Sequence, residues 1–429
     1  MTQTLLVILF LGLIFVGVPI SFVIGTVAFI GVLLIPNLSG IVVFMKMFTG
    51  LDSFVLLAIP LFILAANLMN RGSISKRLIN LCIAFVGHVS GGLAHANILV
   101  SMIFAGVSGS SQADTAGIGK ILIPQMEENG YDKGTAVGVT AASSTLGSII
   151  PPSITMVVYA GIANVSTGGL FIVGIVPGIL LGISMMIVVY FISKKRNFPK
   201  TEKTSFKNIF KLFIETLPAL LTPVIIIGGI MTGAYTPTEA AAFACVYALL
   251  IGMFVYKTIK VKDIPGIISE TLKLSSLSLF ALCTANALGE LLGYYNVSSK
   301  AAELFSSMPG GINTFMLVVI LFFLFIGTFM DAVPAMILFV PVILPAALVL
   351  GVNPIHLGVV IVMTLALGLV TPPYGLCLLI AGSISDLDIE KSFKGVLPYF
   401  LIGVVVLLFV AFFPSIIMGI PKMISPSLY

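Results

Sequence analysis

Long apolar runs separated by short polar segments make up almost the whole chain. A helix that crosses a bilayer needs about 20 apolar residues, and several of these runs approach or exceed that length. They therefore predict membrane-spanning helices, the first of which is kinked at a Gly-Val-Pro sequence. The predicted spans cover residues 5–35, 53–69, 170–192, 212–231, 239–256, 264–288 and 396–413.

Two other stretches carry a polar tip between two apolar arms. In the first, three serines, a glutamine and Asp114 lie in the tip; in the second, the tip contains Asp331. The arms of the first are shorter than a spanning helix requires, so we predict re-entrant hairpins that enter and leave the membrane on one side. Arms and tips are 94–106, 106–117 and 118–126 in the first hairpin, and 312–326, 327–334 and 335–350 in the second.

Two further spans are interrupted near a pair of prolines. Proline lacks the backbone donor and clashes with the preceding turn, so a helix rarely continues through it. We predict two broken helices, one open at 143–148 next to Pro151-Pro152 and one open at 371–375. Their apolar halves are 135–150 and 154–163 in the first, and 355–370 and 376–384 in the second.

The two halves of the chain repeat this order of hairpin and broken helix with equal spacing. The acidic residue of each tip precedes a proline by ten residues, and a glycine precedes each proline pair by 21. Such internal similarity indicates a duplicated architecture. The matched residues are Asp114, Pro124, Gly130 and Pro151 in the first half, and Asp331, Pro341, Gly351 and Pro372 in the second.

The distribution of charge predicts that the two halves are inverted. Lysine and arginine concentrate at 71–77, 194–211 and 257–262, which the positive-inside rule assigns to the cytoplasm. The base of the first hairpin is then inside and that of the second outside. Inverted repeats with broken helices are typical of secondary transporters. We therefore predict an all-α polytopic membrane protein with two re-entrant hairpins and two broken helices.

The repeats also predict a division of the chain by role. Each half supplies scaffold helices with a surface arm helix, followed by transport elements, namely the hairpin and the broken helix. A basic cytoplasmic linker joins the halves. The divisions are 1–93 (scaffold and arm), 94–193 (transport), 194–211 (linker), 212–308 (scaffold and arm) and 309–429 (transport elements and last span).

The composition supports a membrane protein and excludes several other classes. The 429 residues are 59% hydrophobic and 9% charged, whereas a soluble domain has about 25% charged residues. The net charge of +5 is spread over topological clusters and indicates no nucleic-acid partner. The four cysteines lie in apolar segments without a CxxC pair, so we expect neither a disulfide nor a bound metal cofactor.

The predicted breaks provide the chemistry for binding ions. A broken helix exposes carbonyl groups at the end of one half and N–H groups at the start of the other. Carbonyls at 144–147 and 367–370, with hydroxyls of the tips, form candidate oxygen cages for Na⁺, and the helix starts favour an anionic substrate. Asp114 and Asp331 either bind Na⁺ directly or cap the following helix.

Two other functions remain open at this stage. The chain has the spans of an ion or solute channel, which would show conductance. Ser108 lies in a G-x-S-G sequence like that of intramembrane serine proteases, but that chemistry needs a membrane-embedded histidine as base. His88, His95 and His356 lie near predicted span ends, which disfavours a protease.

Four motifs resemble the large membrane subunit of tripartite ATP-independent periplasmic (TRAP) transporters, most closely the sialic-acid members. The resemblance implies a non-enzymatic, Na⁺-driven elevator mechanism for an organic acid such as sialic acid or a C4-dicarboxylate, in the bacterial inner membrane. It also implies a periplasmic substrate-binding protein and a small four-helix membrane subunit as a separate chain. The motifs are SGSSQAD at 108–114, GSIIPPS at 147–153, GTFMDAVP at 327–334 and GLVTPPYG at 368–375.

The resemblance further implies two sodium sites, with substrate between the two tips. The first sodium site uses the first tip and the first break; the second uses their counterparts. Candidate sodium ligands are Ser108, Gly109, Ser110, Ser111, Ser144, Gly147, Gly327, Thr328, Gly368, Val370 and Thr371. Candidate substrate contacts are Ser111, Gln112, Asp114, Ser148, Pro151, Met330, Asp331, Pro372 and Tyr374.

Overall fold

A computed structural model describes residues 2–36, 38–306 and 309–424. Their regular secondary structure is helical. The ends of the predicted divisions at residues 1, 308 and 429 lie outside the described residues. The α-helices are α1 (Thr2–Phe15), α2 (Ile20–Leu33), α3 (Ile41–Thr49), α4 (Ala58–Arg71), α5 (Ile74–Val86), α6 (Gly92–Ser108), α7 (Ser111–Glu128), α8 (Lys133–Ser144), α9 (Leu146–Ile149), α10 (Ile154–Ala163), α11 (Thr167–Arg196), α12 (Phe206–Met231), α13 (Pro237–Leu250), α14 (Ile264–Tyr294), α15 (Val297–Ser306), α16 (Gly311–Gly327), α17 (Ala332–Val349), α18 (Pro354–Gly368), α19 (Leu376–Ser385), α20 (Ile389–Phe412) and α21 (Pro414–Ile424).

Seven segments of the described chain are long and apolar enough to cross a bilayer, and a bent pair of helices makes an eighth. They confirm six of the predicted spans. The predicted span at 5–35 is instead two helices, α1 and α2, because Gly17 has a φ of +86° and Pro19 precedes α2. The segments are Phe54–Arg71, Thr167–Arg196, Phe206–Met231, Pro237–Val255, Val261–Tyr294, Ala332–Val349 and Ile389–Phe412, with the pair Lys133–Ile149 and Ile154–Ala163.

Both hairpins are present, but their arms are longer than the sequence predicts. The arms α6 and α7 have 17 and 18 residues, and α16 and α17 have the same lengths. The first polar tip is mostly helical, and only Gly109 and Ser110 separate its arms. Ser110 caps α7 by accepting a hydrogen bond from Ala113 N at 3.4 Å, so the polar residues that follow it start the helix.

Both broken helices are present, and the first opens later than predicted. Residues 146–149 form α9, and the break lies at 150–153, where α10 begins at a bend of 40°. Within the predicted 143–148 the helix is interrupted only at Thr145, between α8 and α9, and the wider break follows at the two prolines, which end the helix. In the second broken helix, α18 ends at Gly368 and α19 begins at Leu376, close to the predicted 371–375.

Two groups of helices are distinguished by their packing, and they also contact each other. In one, α4 packs on α13 and α14, and α14 also packs on α2 and α3. In the other, α8 packs on α20, α7 and α19, while α18 packs on α16 and α20. The second hairpin helix α17 contacts α14, so the two groups meet beside the tips. Within 1–93, where a surface arm helix is predicted, α5 packs on α6 and α12.

Candidate transport site

Each hairpin tip is tied to the break of its own repeat by a backbone hydrogen bond. Ile154 N, at the start of α10, donates to Gly109 O at 3.1 Å. In the second repeat, Tyr374 N donates to Thr328 O at 2.9 Å. The glycines allow this close approach: a Cβ on Gly109 would lie 2.7 Å from Pro152 O. Tip and break therefore form one local unit in each repeat.

The two tips also contact each other directly. Gln112 Nε2, in the first turn of α7, donates to Asp331 Oδ1 at 2.7 Å. Asp331 is the residue that precedes α17, so this bond joins residues 219 positions apart in the sequence. The two halves of the repeat thus meet through a polar side-chain pair.

A cavity of about 190 Å³ lies where the tips meet the other helix group. The first tip and break line one side, residues 331–333 of the second tip line another, and α4 and α14 close the remainder. The polar side chains in its wall are Asn67, Ser108, Ser110, Ser111, Gln112, Ser148, Thr155, Ser278 and Asp331. The cavity is thus bounded by both repeats and by both helix groups.

Asp114 lies behind the first tip, shielded from solvent. Its side chain is fully buried, and Ser108 Oγ donates a hydrogen bond to Oδ1. The other oxygen, Oδ2, has no hydrogen-bond partner among the described residues. Gly147 faces this oxygen, and a Cβ at that position would collide with it. A buried carboxylate oxygen without a partner is costly unless a cation or a donor occupies the space beside it.

Hydroxyl groups crowd the same region. Ser111 and Ser148 share a hydrogen bond of 2.7 Å, and Ser111 Oγ lies 3.3 Å from Thr145 O. Ser153 and Thr155 donate to Ser148 O at 2.6 and 3.2 Å. The first tip and first break therefore present several oxygen atoms, of which Ser108 Oγ contacts Asp114, and oxygen atoms are the ligands that hard cations prefer.

The structure separates the two interpretations of the tip aspartates. Asp114 does not cap α7, because Ser110 occupies the cap position and Asp114 accepts from Ser108 instead. Asp331 occupies the cap position of α17, where its side chain makes no bond to the N2 or N3 backbone. It accepts from Gln112 and interacts with the backbone N–H of Ala332, the first residue of α17. Capping was therefore the wrong interpretation for Asp114.

The second hairpin tip and the second break contact each other mainly through backbone atoms. A Cβ on Gly368 would lie 2.7 Å from the Cα of Gly327, so these glycines allow α16 and α18 to touch. The hydroxyls of Thr328 and Thr371 donate to Phe325 O and Leu367 O at 2.7 and 2.9 Å. Val370 is buried beside them.

Several predicted residues lie near the tips without lining the cavity. Ser144 and Gly147 are buried behind the first tip, and Ser144 Oγ donates to Thr140 O at 2.7 Å. Pro151 is buried within the first break, while Met330 and Pro372 are half-buried at the second tip and break. Tyr374 is 41% exposed.

Sequence reasoning missed the wall of the cavity that the other helix group contributes. Asn67 of α4 and Ser278 of α14 line it, and Asn67 Nδ2 also donates to Thr271 Oγ1 at 3.0 Å. A second buried polar network behind the first hairpin was also missed, in which Asn97 Nδ2 donates to Thr140 Oγ1 at 2.6 Å. The sequence signal in each case was a single polar residue within an apolar span. Such a residue can line a cavity or contact a neighbouring helix, and the sequence does not distinguish the two.

Paired hairpins and broken helices around a polar cavity define a polytopic membrane transport protein of the inverted-repeat class. The chain belongs to the family described as the DctM component of tripartite ATP-independent periplasmic transporters, which matches residues 7–416. It is thus the large permease of a TRAP transporter, a multi-pass protein of the bacterial inner membrane.

Similar proteins agree with this assignment. The chain is 37% identical to the sialic acid TRAP transporter large permease SiaM of Vibrio cholerae, over 96% of this chain and 97% of that one. It is 36% identical to the C4-dicarboxylate large permease DctM of Pseudomonas aeruginosa, over 89% and 90% of the two chains. The YdaH transporter of Alcanivorax borkumensis shares the fold, with a TM-score of 0.63 at 14% identity over 87% of each chain.

Proposed function

We propose that this permease imports an organic acid anion by coupling its movement to the inward flow of Na⁺. The observation that carries the proposal is the buried carboxylate oxygen Asp114 Oδ2, which lacks a hydrogen-bond partner among the described residues. It lies next to the tip that also forms the wall of the central cavity. Ion and substrate would therefore bind on opposite sides of the same short segment.

The residues around Asp114 fit a monovalent, hard cation. Hydroxyls of the first tip and the carbonyl of Thr145 are close by, and one carboxylate supplies one negative charge. Within the described residues no three His, Cys, Asp or Glu side chains cluster as a transition-metal or zinc site would require. Na⁺ needs oxygen ligands and little negative charge, and unwound helices commonly supply them in transporters.

The second sodium site is proposed at the second tip and break by analogy of the repeats. Gly327, Thr328, Gly368, Val370 and Thr371 lie together there, and the threonine oxygens retain lone pairs while donating to carbonyls. Asp331 faces Gln112 across the tips. Among the described residues that line the cavity there is no arginine or lysine to balance the negative charge of the substrate. A cation at each tip would offset that charge.

Sialic acid is the preferred substrate, with a C4-dicarboxylate as the other candidate. Relatives named for sialic acid and for C4-dicarboxylates have nearly equal identity to this chain, so identity alone favours neither strongly. The cavity offers hydroxyls and amides from both tips, which suit a hydroxylated acid as well as a carboxylate. The substrate would arrive from a periplasmic binding protein, and a small membrane subunit would complete the transporter.

We further propose that transport follows an elevator mechanism. The group containing both hairpins would slide against the group containing α4 and α14, carrying the tips and the ions with it. The wall of the cavity is shared by the two groups, so such a movement would open the site to each side of the membrane in turn.

The test is uptake of labelled sialic acid by the complete transporter in proteoliposomes with its binding protein. An inward Na⁺ gradient is expected to drive accumulation, and an equal K⁺ gradient is not. Labelled C4-dicarboxylate is the parallel substrate. Accumulation that is as fast with K⁺ as with Na⁺ would reject sodium coupling, and current without saturable uptake would indicate a channel.

A further inference from the structure

A second cavity, of about 170 Å³, lies where α8 begins, α11 ends and α20 begins. Because the charge distribution assigns these ends to the cytoplasm, we name it the cytoplasmic cavity. Arg196, Lys391 and Lys394 line it, and Asp132 is the single acid in its wall. Three cations against one acid give the lining a net formal charge of +2.

The two lysines are weakly engaged by the protein itself. Arg196 Nη1 donates to Asp132 Oδ2 at 2.6 Å, so these two side chains are already paired with each other. Lys391 Nζ lies 3.2 Å from Asp388 Oδ2, but both side chains are mostly exposed, and such pairs contribute little. Lys394 has no ion-pair partner within the described part of the chain. The cavity therefore retains positive charge for an added anion.

The wall of the cytoplasmic cavity also contains an unused donor. Tyr399 lines it and is 1% exposed, yet its hydroxyl has no hydrogen-bond partner among the described residues. Buried polar groups are normally satisfied, because leaving one without a partner carries an energetic cost. A phenolic hydroxyl in the same wall as Arg196 is a donor suited to an anionic oxygen.

Two of the helices that form the cavity wall, α8 and α20, pack closely against each other. A Cβ on Gly138 would lie 2.9 Å from Val396 N, so α8 and α20 cross with their backbones almost in contact. The walls therefore derive from two helices fixed relative to each other, and the space between them at the cytoplasmic end is part of the fold.

The cavity lies at the end of an exposed apolar surface. Leu397 and Leu401 are 40% and 56% exposed, and their spacing of three and seven residues from Lys394 puts them on its face of α20. In a membrane protein such surfaces contact acyl chains, so a cationic cavity at their cytoplasmic end matches an amphiphile with an anionic head.

We propose that the cytoplasmic cavity binds the phosphate of an anionic phospholipid of the inner leaflet, whose acyl chains lie along α20. Lys391 and Lys394 supply the charge, and Tyr399 donates to a phosphate oxygen. Basic pockets between helices at the cytoplasmic side of membrane proteins are suited to such head groups. The lipid would bridge α8, α11 and α20, and the site is separate from the cavity between the tips.

The test is native mass spectrometry of the purified permease after incubation with phosphatidylglycerol, with phosphatidylcholine as the neutral lipid. The wild-type chain is expected to retain phosphatidylglycerol preferentially. The double variant Lys391→Gln/Lys394→Gln is expected to lose about tenfold or more of this affinity, because a lysine near an anionic lipid contributes about fivefold. The matched control, Lys260→Gln/Lys262→Gln, removes two exposed cytoplasmic lysines elsewhere and is expected to bind as wild type.

Tyr399→Phe provides a second variant that keeps the size of the side chain and removes only the hydroxyl. It is expected to weaken phosphatidylglycerol binding severalfold while the protein elutes as wild type in size exclusion. Retention of phosphatidylglycerol unchanged in both the lysine and the tyrosine variants would overturn the proposal. Displacement of the lipid by inorganic phosphate, with the same dependence on Lys391 and Lys394, would replace the lipid with a free anion as the ligand.

Discussion

Among the described residues, Asp114 has one carboxylate oxygen with a hydrogen-bond partner and one without, and its side chain is fully buried. Its environment is unlike that of Asp331, whose oxygen accepts from Gln112 at the edge of the cavity. The two residues are equivalent in the repeat, but Asp114 accepts from a hydroxyl group and Asp331 from a side-chain amide. At the scale of single residues, the duplicated site is therefore chemically asymmetric.

Gly147→Ala tests the proposed ion site without changing any charge. The added Cβ would occupy the space in front of Asp114 Oδ2 and would lie 3.0 Å from Ser111 N. We expect the apparent Na⁺ affinity to fall roughly 10–100-fold, the range seen when groups that position metal ligands are disturbed. Sodium titration of substrate uptake measures it.

The matched control for this variant is Gly228→Ala in α12, where a Cβ meets nothing within 4 Å. It adds the same methyl group to another helix, at a position that the proposed ion site does not use, and is expected to leave the sodium dependence unchanged. If Gly147→Ala titrates with Na⁺ like the control, the ion does not bind beside Asp114.

Gln112→Ala tests the contact between the tips. It removes the donor that lies 2.7 Å from Asp331 Oδ1 and leaves the backbone of α7 intact. Because Gln112 also lines the cavity, we expect a higher KM for the substrate with little change in thermal stability. Curves of uptake rate against substrate concentration at fixed Na⁺ measure this KM. An unchanged KM would place the substrate elsewhere.

Elements differ in how well the sequence predicts them. The proline pairs end helices by a local steric effect, so both broken helices could be predicted, and the hairpins followed from polar residues between apolar arms. The extent of the tip helices could not be predicted, because Ser110 caps α7 and the polar residues that follow it are part of the helix. Nor could the opening of the first break at 150–153, since Ser-Gly sequences occur both inside and outside helices.

The crossing of α8 and α20 is an element-scale feature that a single substitution tests. Gly138 has no room for a side chain, because a Cβ there would collide with the backbone of Gly395. Gly138→Val is expected to destabilise the protein by about 1–3 kcal/mol, the usual cost of overpacking. The measurement is the apparent melting temperature in detergent, and Gly228→Val serves as the control for adding a β-branched residue to a helix.

Asp132, at the start of α8, is expected to make the stability of the protein depend on pH. Burial opposes ionisation of Asp132, but hydrogen bonds from Thr135 and the charge of Arg196 outweigh it and lower its pKa below 3.8. The folded state therefore binds this proton less readily than the unfolded chain, so the stabilisation is present above pH 3.8 and is lost as pH falls through the lowered pKa.

Asp132→Asn keeps a capping side chain and removes the charge. The melting temperature of the wild type is expected to decline as pH falls below 3.8, and the decline in the variant should be shallower. Equal pH profiles for the two proteins would show that the bridge to Arg196 contributes nothing measurable.

At the scale of the whole molecule, the family and the all-helical fold were predictable, because duplicated motifs and charge asymmetry act over the entire chain. The cavity was predictable only in part. Its tip residues follow from the repeat, but Asn67 and Ser278 belong to spans whose sequence shows no break, and their position depends on how the two helix groups meet. Packing between distant helices leaves no local signature.

Disulfide cross-links test the proposed elevator movement. A Cβ on Gly168 of α11 lies 3.2 Å from Ile230 Cγ2 of α12, which joins the predicted transport and scaffold parts near one end. We expect oxidised Gly168→Cys/Ile230→Cys to lose most uptake and to recover it with a reductant. The four native cysteines are buried, which limits competing bridges.

The matched cross-link lies within one group. A Cβ on Gly25 lies 3.7 Å from Thr284 Cβ, a separation suited to a disulfide, and it joins α2 to α14. Oxidised Gly25→Cys/Thr284→Cys should transport like the wild type. Full activity of both oxidised variants would mean that the two groups do not slide past each other.

The enclosed carboxylate of Asp114 has an electrical consequence. If the hairpins move through the membrane with Asp114 ionised, that negative charge moves with them and is cancelled only while a cation is bound. An empty carrier returning outward would then move its negative charge down the resting potential, which supplies about 2.3 kcal/mol per charge per 100 mV. The membrane voltage, in addition to the sodium gradient, would thus reset the permease after each delivery.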